Sequence, residues 1–211
     1  AGQSAINVFF DNMENPAAGN WASAAIAGEN AWFYPASQSP FGSFVYATSG
    51  AENLWGYAQG GTSSQPAVPA DIAIAMTRSV QVPSGAFLRF NHSYGFEADS
   101  TSNYDGGVVE YSINNGGTWQ DVGGLFDNNG YGGTMETGEN PLGGRQGFVD
   151  HSNGYGASRA NLSDLAGQSV RFRFRIGTDS QVDDYGWFID DVQIYSCATL
   201  ANKIFTPILG R

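Results

Sequence analysis

"SVRFRFRIG", residues 169–177, alternates without a slip: Val170, Phe172, Phe174 and Ile176 fall on one side of an extended chain, and Arg171, Arg173 and Arg175 on the other. A stretch of this kind buries one face and wets the other, as a strand does in an antiparallel sheet that covers a core on a single side. Three of the nine Lys and Arg residues thereby line one outer face. Either they pair with acids on neighbouring strands, the commoner use of such residues, or they form a contact surface.

Other stretches follow the same logic. Runs rich in β-branched and aromatic residues, bounded by Gly, Pro, Asn or Ser, predict strands near 5–11, 42–48, 53–58, 71–82, 86–96, 106–113, 117–122, 145–150, 168–178 and 186–196. No segment sustains a helical period, so short strands in close succession predict an all-β, two-sheet antiparallel sandwich. The chain has 211 residues, 41% of them apolar, which suits one full-cored domain over 1–197 followed by an apolar tail over 198–211. Gly at 29 residues, aromatics at 14% and charged residues at 14% describe a polar but weakly charged β protein with long loops. Two glycine-rich connections, 59–70 and 123–144, break the pattern. The second is too long for an ordinary loop and is either functional or mobile, and its Phe126 and Tyr131 argue that it packs.

The formal net charge of −11 sets phosphate repulsion against any nucleic-acid partner. It suits divalent cations or simply a solvated acidic surface. No run of about eighteen apolar residues is present, so no membrane-spanning helix is predicted. The first residues, Ala1-Gly2-Gln3, fit the product of a signal peptidase, and the expected location is extracellular or at the cell surface. Asn91 and Asn161 stand in glycosylation sequons by pattern alone. The single cysteine, Cys197, excludes an internal disulfide and has no adjacent cation to activate it; it is an inert or a crosslinking thiol.

Catalysis finds little support. The only histidines are His92, within a predicted strand, and His151, in a polar loop. Neither adjoins a nucleophile elbow, an H-E-x-x-H pair or a cysteine, and both read as hydrogen-bonded structural residues. The separation of two carboxylates, on which glycoside hydrolysis turns, is not legible in sequence. "SINNGGTW" (112–119) matches an Asp-box pattern, but its Asn-Asn-Gly-Gly run is first a device for a tight hairpin.

"WFIDDVQIY" (187–195) poses the sharpest question. A period of two puts Asp190 in line with Phe188, Val192 and Ile194, facing a core. A buried carboxylate must be protonated, capped by backbone N–H groups, paired with arginine, or bound to a cation. A weaker cation candidate is "DSTSNYDGG" (99–107), where Asp99, Asn103 and Asp105 have spacings like a calcium loop, although Asp105 also suits a turn into the next strand.

In "FFDNMENPAAGNW" (9–21), "NYDGGVVEYSINNGGTWQDV" (103–122), "NLSDLAGQSVRFRFRIGTDS" (161–180) and "GWFIDDVQIY" (186–195), the chain resembles, in order, the MAM-like jelly-roll modules of immune-inhibitor-A type secreted bacterial proteins. The resemblance implies a galactose-binding-like jelly roll used for carbohydrate or protein contact, often holding a structural calcium ion. It implies that Glu14, from the first strand, meets Asp190 or Asp191 from the last around calcium, with Asp11 and backbone carbonyls completing about six to eight oxygens. The chain departs from such modules in lacking a peptidase domain, in its long 123–144 loop and in its tail.

These readings converge on a secreted, non-catalytic, calcium-stabilised subunit of an extracellular assembly. Copies of itself are the expected partners, joined into a filament or surface layer by exchange of a terminal strand, "AGQSAINVFF" or "KIFTPILGR". The alternative is a carbohydrate- or protein-binding accessory module of a secreted peptidase, with a glycan or a cell-surface protein as partner. Trp32, Tyr34, Trp55, Tyr57, Tyr131 and Tyr155 then either stack on sugar rings or belong to the core.

Overall fold

The strand foreseen at 169–177 forms as its alternation requires: Val170, Phe172, Phe174 and Ile176 are fully buried, while Arg171, Arg173 and Arg175 are half-exposed. The computed structural model describes residues 3–36, 45–58, 68–182 and 184–199. Within them the strands are β1 (Gln3–Asp11), β2 (Trp21–Ala27), β3 (Trp32–Phe33), β4 (Leu54–Ala58), β5 (Ala70–Met76), β6 (Val80–Gln81), β7 (Ala86–Gly95) and β8 (Gly106–Ser112). They continue as β9 (Gln120–Asp121), β10 (Phe126–Asn128), β11 (Gly133–Thr134), β12 (Gln146–Gly147), β13 (Gly156–Asn161), β14 (Ser169–Thr178) and β15 (Asp184–Thr199). No α-helix occurs among the described residues.

Two antiparallel sheets form a jelly-roll sandwich. One is seven-stranded, ordered β10-β13-β7-β15-β4-β3 with β1 also on β15. The other is six-stranded, ordered β2-β5-β14-β8-β9 with β6 also on β14. Leu88, Phe90, Ile189, Val192 and Ile194 of the first layer meet Ile72, Ile74, Phe172, Phe174 and Ile176 of the second in one core. Trp187 sits among the aromatics, with ring centroids 5.5 Å from both Phe148 and Phe174. Burial of a large apolar side chain contributes about 2 kcal/mol, so this layer contact dominates the stability of the fold.

β15 departs from strict alternation. Asp190 opposes Asn91 of β7 but Gln193 opposes Arg89, so β15 holds one residue more than its partner, with Asp191 at φ 49°. Trp187 and Ile189 therefore face the core before this bulge, and Val192 and Ile194 face it after. Asp190 does not share the core face with Val192 and Ile194, contrary to the period-two reading. It points with Phe188 to the other side.

Several elements differ from the sequence expectation. β2 and β13, "WASAAIA" and "GASRAN", carry little intrinsic strand preference and are extended because they pair with β5 and β7. The expected strand at 42–48 lies outside the described residues at 42–44 and is not a strand at 45–48. The 71–82 run divides into β5 and β6. Residues 123–144 are packed: Tyr131 shares a second small core with Val108, Met135, Leu142 and Val149, and its hydroxyl accepts from Val109 N and donates to Val109 O. At 112–119, Ser112 and Asn114 oxygens take backbone N–H groups of Gly116 and Thr118 at 2.8 Å, closing the hairpin. Residues 59–67 and the tail beyond Thr199 lie outside the described residues.

His92 is fully buried and fixed in one tautomer. The Trp187 indole, which can only donate, gives its proton to Nδ1 at 3.1 Å, so Nε2 carries the hydrogen and donates to Ser158 Oγ at 2.7 Å. Burial pushes its pKa down from 6.5 to about 3. The folded state thus refuses a proton that the unfolded chain takes up, so stability is fully present above pH 6.5 and falls as pH drops toward 3. Urea denaturation should show this contribution as a difference between proteins: between pH 6.5 and 4.5 the wild type should lose stability relative to His92→Gln as pH falls.

Candidate functional site

The outer face of the six-stranded sheet is a charged lattice. Glu110, 4% exposed, opposes Arg173 across β8 and β14 and accepts from Arg173 Nε at 2.6 Å, Arg145 Nη1 at 2.8 Å and Arg175 Nη1 at 3.2 Å. Arg175 also forks onto both oxygens of Asp71 at 2.6 and 2.7 Å, and Arg145 reaches Asp121. Burial pushes the Glu110 carboxyl up, but Arg173, Arg145 and Arg175 outweigh it and hold it below the ordinary range. The arginines are paired, as their alternation with apolar residues suggested. Beside them the register places small side chains, Ala73 and Ala75 of β5 and Ala22 and Ala24 of β2, on the same face. Trp119 lies at the opposite margin, its ring 4.4 Å from the Arg173 guanidinium. The result is a face on which an alanine floor adjoins a row of fixed donors and acceptors.

The carboxylates predicted for a metal centre divide into separate settings. Asp190, 0% exposed, receives Thr48 N at 2.7 Å, Thr48 Oγ1 at 2.8 Å and Ser49 N at 3.0 Å on one oxygen and Asp191 N at 2.7 Å on the other. Burial raises its pKa, and the bonds from Ser49, Thr48 and Asp191 draw it part of the way back. Asp191 receives Ser49 Oγ, Thr48 Oγ1 and Asn91 Nδ2. Glu14 accepts Ala51 N at 2.8 Å and Glu52 N at 2.7 Å. The structure therefore brings Glu14 and the Asp190–Asp191 pair to one short segment, 48–52, gripped from its two ends. Gly50 allows this at φ 62°, where an added Cβ would lie 2.2 Å from Glu14 Cδ.

Asp11 takes Met13 N at 2.9 Å on Oδ1, and Asn20 Nδ2 and the Trp21 indole on Oδ2. Asp11, Glu52 and Glu14 lie near Tyr34, whose hydroxyl is pushed up to about 12, first by burial and then by those charges. The buried oxygens Tyr34 OH, Glu52 Oε2 and Asn53 Oδ1 have no hydrogen-bond partner among the described residues. Glu52 and Asn53 escaped the sequence reading because nothing in "AEN" marks it as a companion of residue 14.

Asp105, the fifth predicted ligand, is not grouped with Asp99. Asp99 turns both oxygens to Thr101, Ser102 and Tyr104. Asp105 instead lies with Glu97 and Asp179, one ligand atom from each within 4.8 Å of the others, the one such group among the described residues.

Of the six aromatics weighed for sugar stacking, Trp32 is buried in the core, and Tyr34, Tyr57 and Tyr131 pack against it. Trp55 stacks on Phe188 at 5.6 Å, and the Tyr155 hydroxyl donates to Tyr46 O. These rings are structural first; Trp119 was not among them.

Comparison with known proteins gives the same architecture. The Reelin subrepeat B family model matches residues 70–195. The K1 cleaved adhesin domain of Lys-gingipain from Porphyromonas gingivalis W83 is 16% identical, with TM-score 0.52, over 92% of this chain and 98% of that one. The K3 domain of the same protein is 18% identical, with TM-score 0.51, over 90% and 100%. The glycoside hydrolase domain Endo-D of Streptococcus pneumoniae R6 is 13% identical, with TM-score 0.50, and the match covers 83% of this chain but 21% of that one. At such identities the likeness is one of fold. No curated protein sequence matches.

Removing the grip on 48–52 should be costly. Asp190→Ala strands the Thr48, Ser49 and Asp191 amides and should lower stability by about 3 kcal/mol in urea denaturation. Gly50→Ala should lose about 1 kcal/mol or more.

Proposed function

We propose that this chain, which belongs to the Reelin subrepeat B family, is a non-catalytic binding module of an extracellular protein, of the accessory kind that secreted peptidases carry, and that its ligand is a glycan. The observation that carries this reading is the ordered row of charges beside alanines and Trp119 on the outer face of the six-stranded sheet. Sugar hydroxyls are recognised by fixed carboxylates and guanidiniums beside an aromatic face, and Glu110, Arg145, Arg173, Arg175 and Trp119 supply these without further ordering. The naming of the Lys-gingipain domains as adhesin domains supports a binding role. So does the pairing of His92 and His151 with neighbouring side chains, which leaves neither poised as a base beside a nucleophile.

Calcium belongs to the proposal as a stabiliser of the segment between Glu14 and Asp190–Asp191. The partnerless oxygens of Glu52, Asn53 and Tyr34 near Glu14 and Asp11 suit a hard cation, which would neutralise the acids there and hold the loop.

A second reading, self-association by strand addition, has one observation in its favour. Among the described residues β1 pairs with β15 alone and exposes Ile6, Val8 and Phe10 at 53%, 41% and 51%, with no charged residue before Asp11 to guard the edge.

A glycan array should register binding. Trp119→Ala, and Ala24→Phe at an exposed position of the floor, should each weaken it tenfold or more while leaving the melting temperature nearly unchanged. A blank array would remove the glycan and leave a protein ligand. Light scattering across a concentration series tests the second reading: association that Phe10→Lys abolishes would support it, and a monomer throughout would end it.

A further inference from the structure

We propose that Glu97, Asp105 and Asp179 form a calcium site that ties together the ends of β7, β8 and β14. The three residues come from separate parts of the chain: Glu97 follows β7, Asp105 immediately precedes β8, and Asp179 immediately follows β14. Because β7 lies in the seven-stranded sheet and β8 and β14 in the six-stranded one, the group bridges the two layers at one end of the sandwich.

Their ligand atoms lie within 4.8 Å of one another. Oxygens at opposite sides of a calcium ion, each at about 2.3–2.6 Å from it, are separated by about this much. Asp105 is 0% exposed, and its oxygens differ sharply. Oδ1 accepts Asp179 N at 2.8 Å, whereas Oδ2 is buried among the other acids with no hydrogen-bond partner. A buried carboxylate oxygen left unpaired is strongly unfavourable unless a proton or a cation meets it.

The surroundings supply neither balancing charge nor enough donors. Among the described residues no Arg, Lys or His forms an ion pair with any of the three. Among the described residues Glu97 receives only Val182 N at 3.3 Å and Asp179 only Gln181 N at 2.8 Å. Without a cation, burial pushes the Asp105 carboxyl up to about 8, and Asp179, Glu97 and Asp184 add to the rise. The donor set selects the metal. Three carboxylates without histidine or cysteine disfavour zinc, and side chains set on three segments suit the irregular, higher-coordinate shell of calcium better than the strict octahedron of magnesium.

Thermal melting and calorimetric titration with calcium and magnesium test the site on the whole chain. At a hundredfold excess over Kd, calcium should raise the melting temperature of the wild type by roughly 5 °C or more relative to EDTA. Asp105→Asn should lose this site's share of the gain and of the binding heat, keeping only a share that Asp190→Asn removes, yet in EDTA melt no lower than wild type, because the amide relieves the repulsion. Glu97→Gln, at a half-exposed position, should weaken calcium binding at least tenfold, and Asp190→Asn should leave the titration at this site intact. No heat and no stabilisation with calcium would overturn the proposal, as would a larger gain from magnesium. A gain lost in Asp190→Asn but kept in Asp105→Asn would assign the ion to the Glu14 and Asp190 region instead.

Discussion

β15 touches β1, β4 and β7, and the extra residue at Asp190–Asp191 decides what it can do for all of them. A regular strand of this length would turn alternate residues to one face throughout, and either Trp187 and Ile189 or Val192 and Ile194 would leave the core. The bulge lets both pairs in. It does so by rotating two aspartates outward at the point where the phase changes, and those aspartates are the anchors of the 48–52 segment. Core packing and loop fixation are thus consequences of a single backbone irregularity.

The acids of this protein are used in three physically distinct ways. Glu110 and Asp71 are matched by guanidiniums, which are rigid, planar and always charged, so that a nearly buried carboxylate stays ionised. Asp190 and Glu14 are matched largely by backbone N–H groups, and Asp11 by one such group and the side chains of Asn20 and Trp21, which fixes the adjoining loops. Asp105 is matched by one amide on one oxygen only. The first setting builds a surface, the second holds connections in place, and the third concentrates negative charge between the layers. A net charge of −11 is therefore not merely a solvated coat.

The outer face of the six-stranded sheet follows from the same economy of means. Alternation on β14 sends phenylalanines into the core and arginines out of it, and alternation on β2 and β5 sends alanines outward beside them. The long 123–144 connection covers part of the same face, its own small core lying on Val108, which pairs with Arg175.

Local periodicity made β14, β7 and β8 legible, because a strand buried on one face writes its orientation into every second residue, and the absence of helical spacing settled the all-β class. Paired arginines and a structural His92 were also within reach of residue type alone. The bulge at Asp191, the strands "WASAAIA" and "GASRAN", the meeting of Glu97 with Asp105 and Asp179, and the capture of residues 48–52 by residues 14 and 190 were not. Each depends on a partner distant in the chain: pairing extends a segment that has no preference of its own, and the fate of a carboxylate is set by which donors the fold carries to it. A sequence shows that a charge must be balanced; only the tertiary structure decides by what.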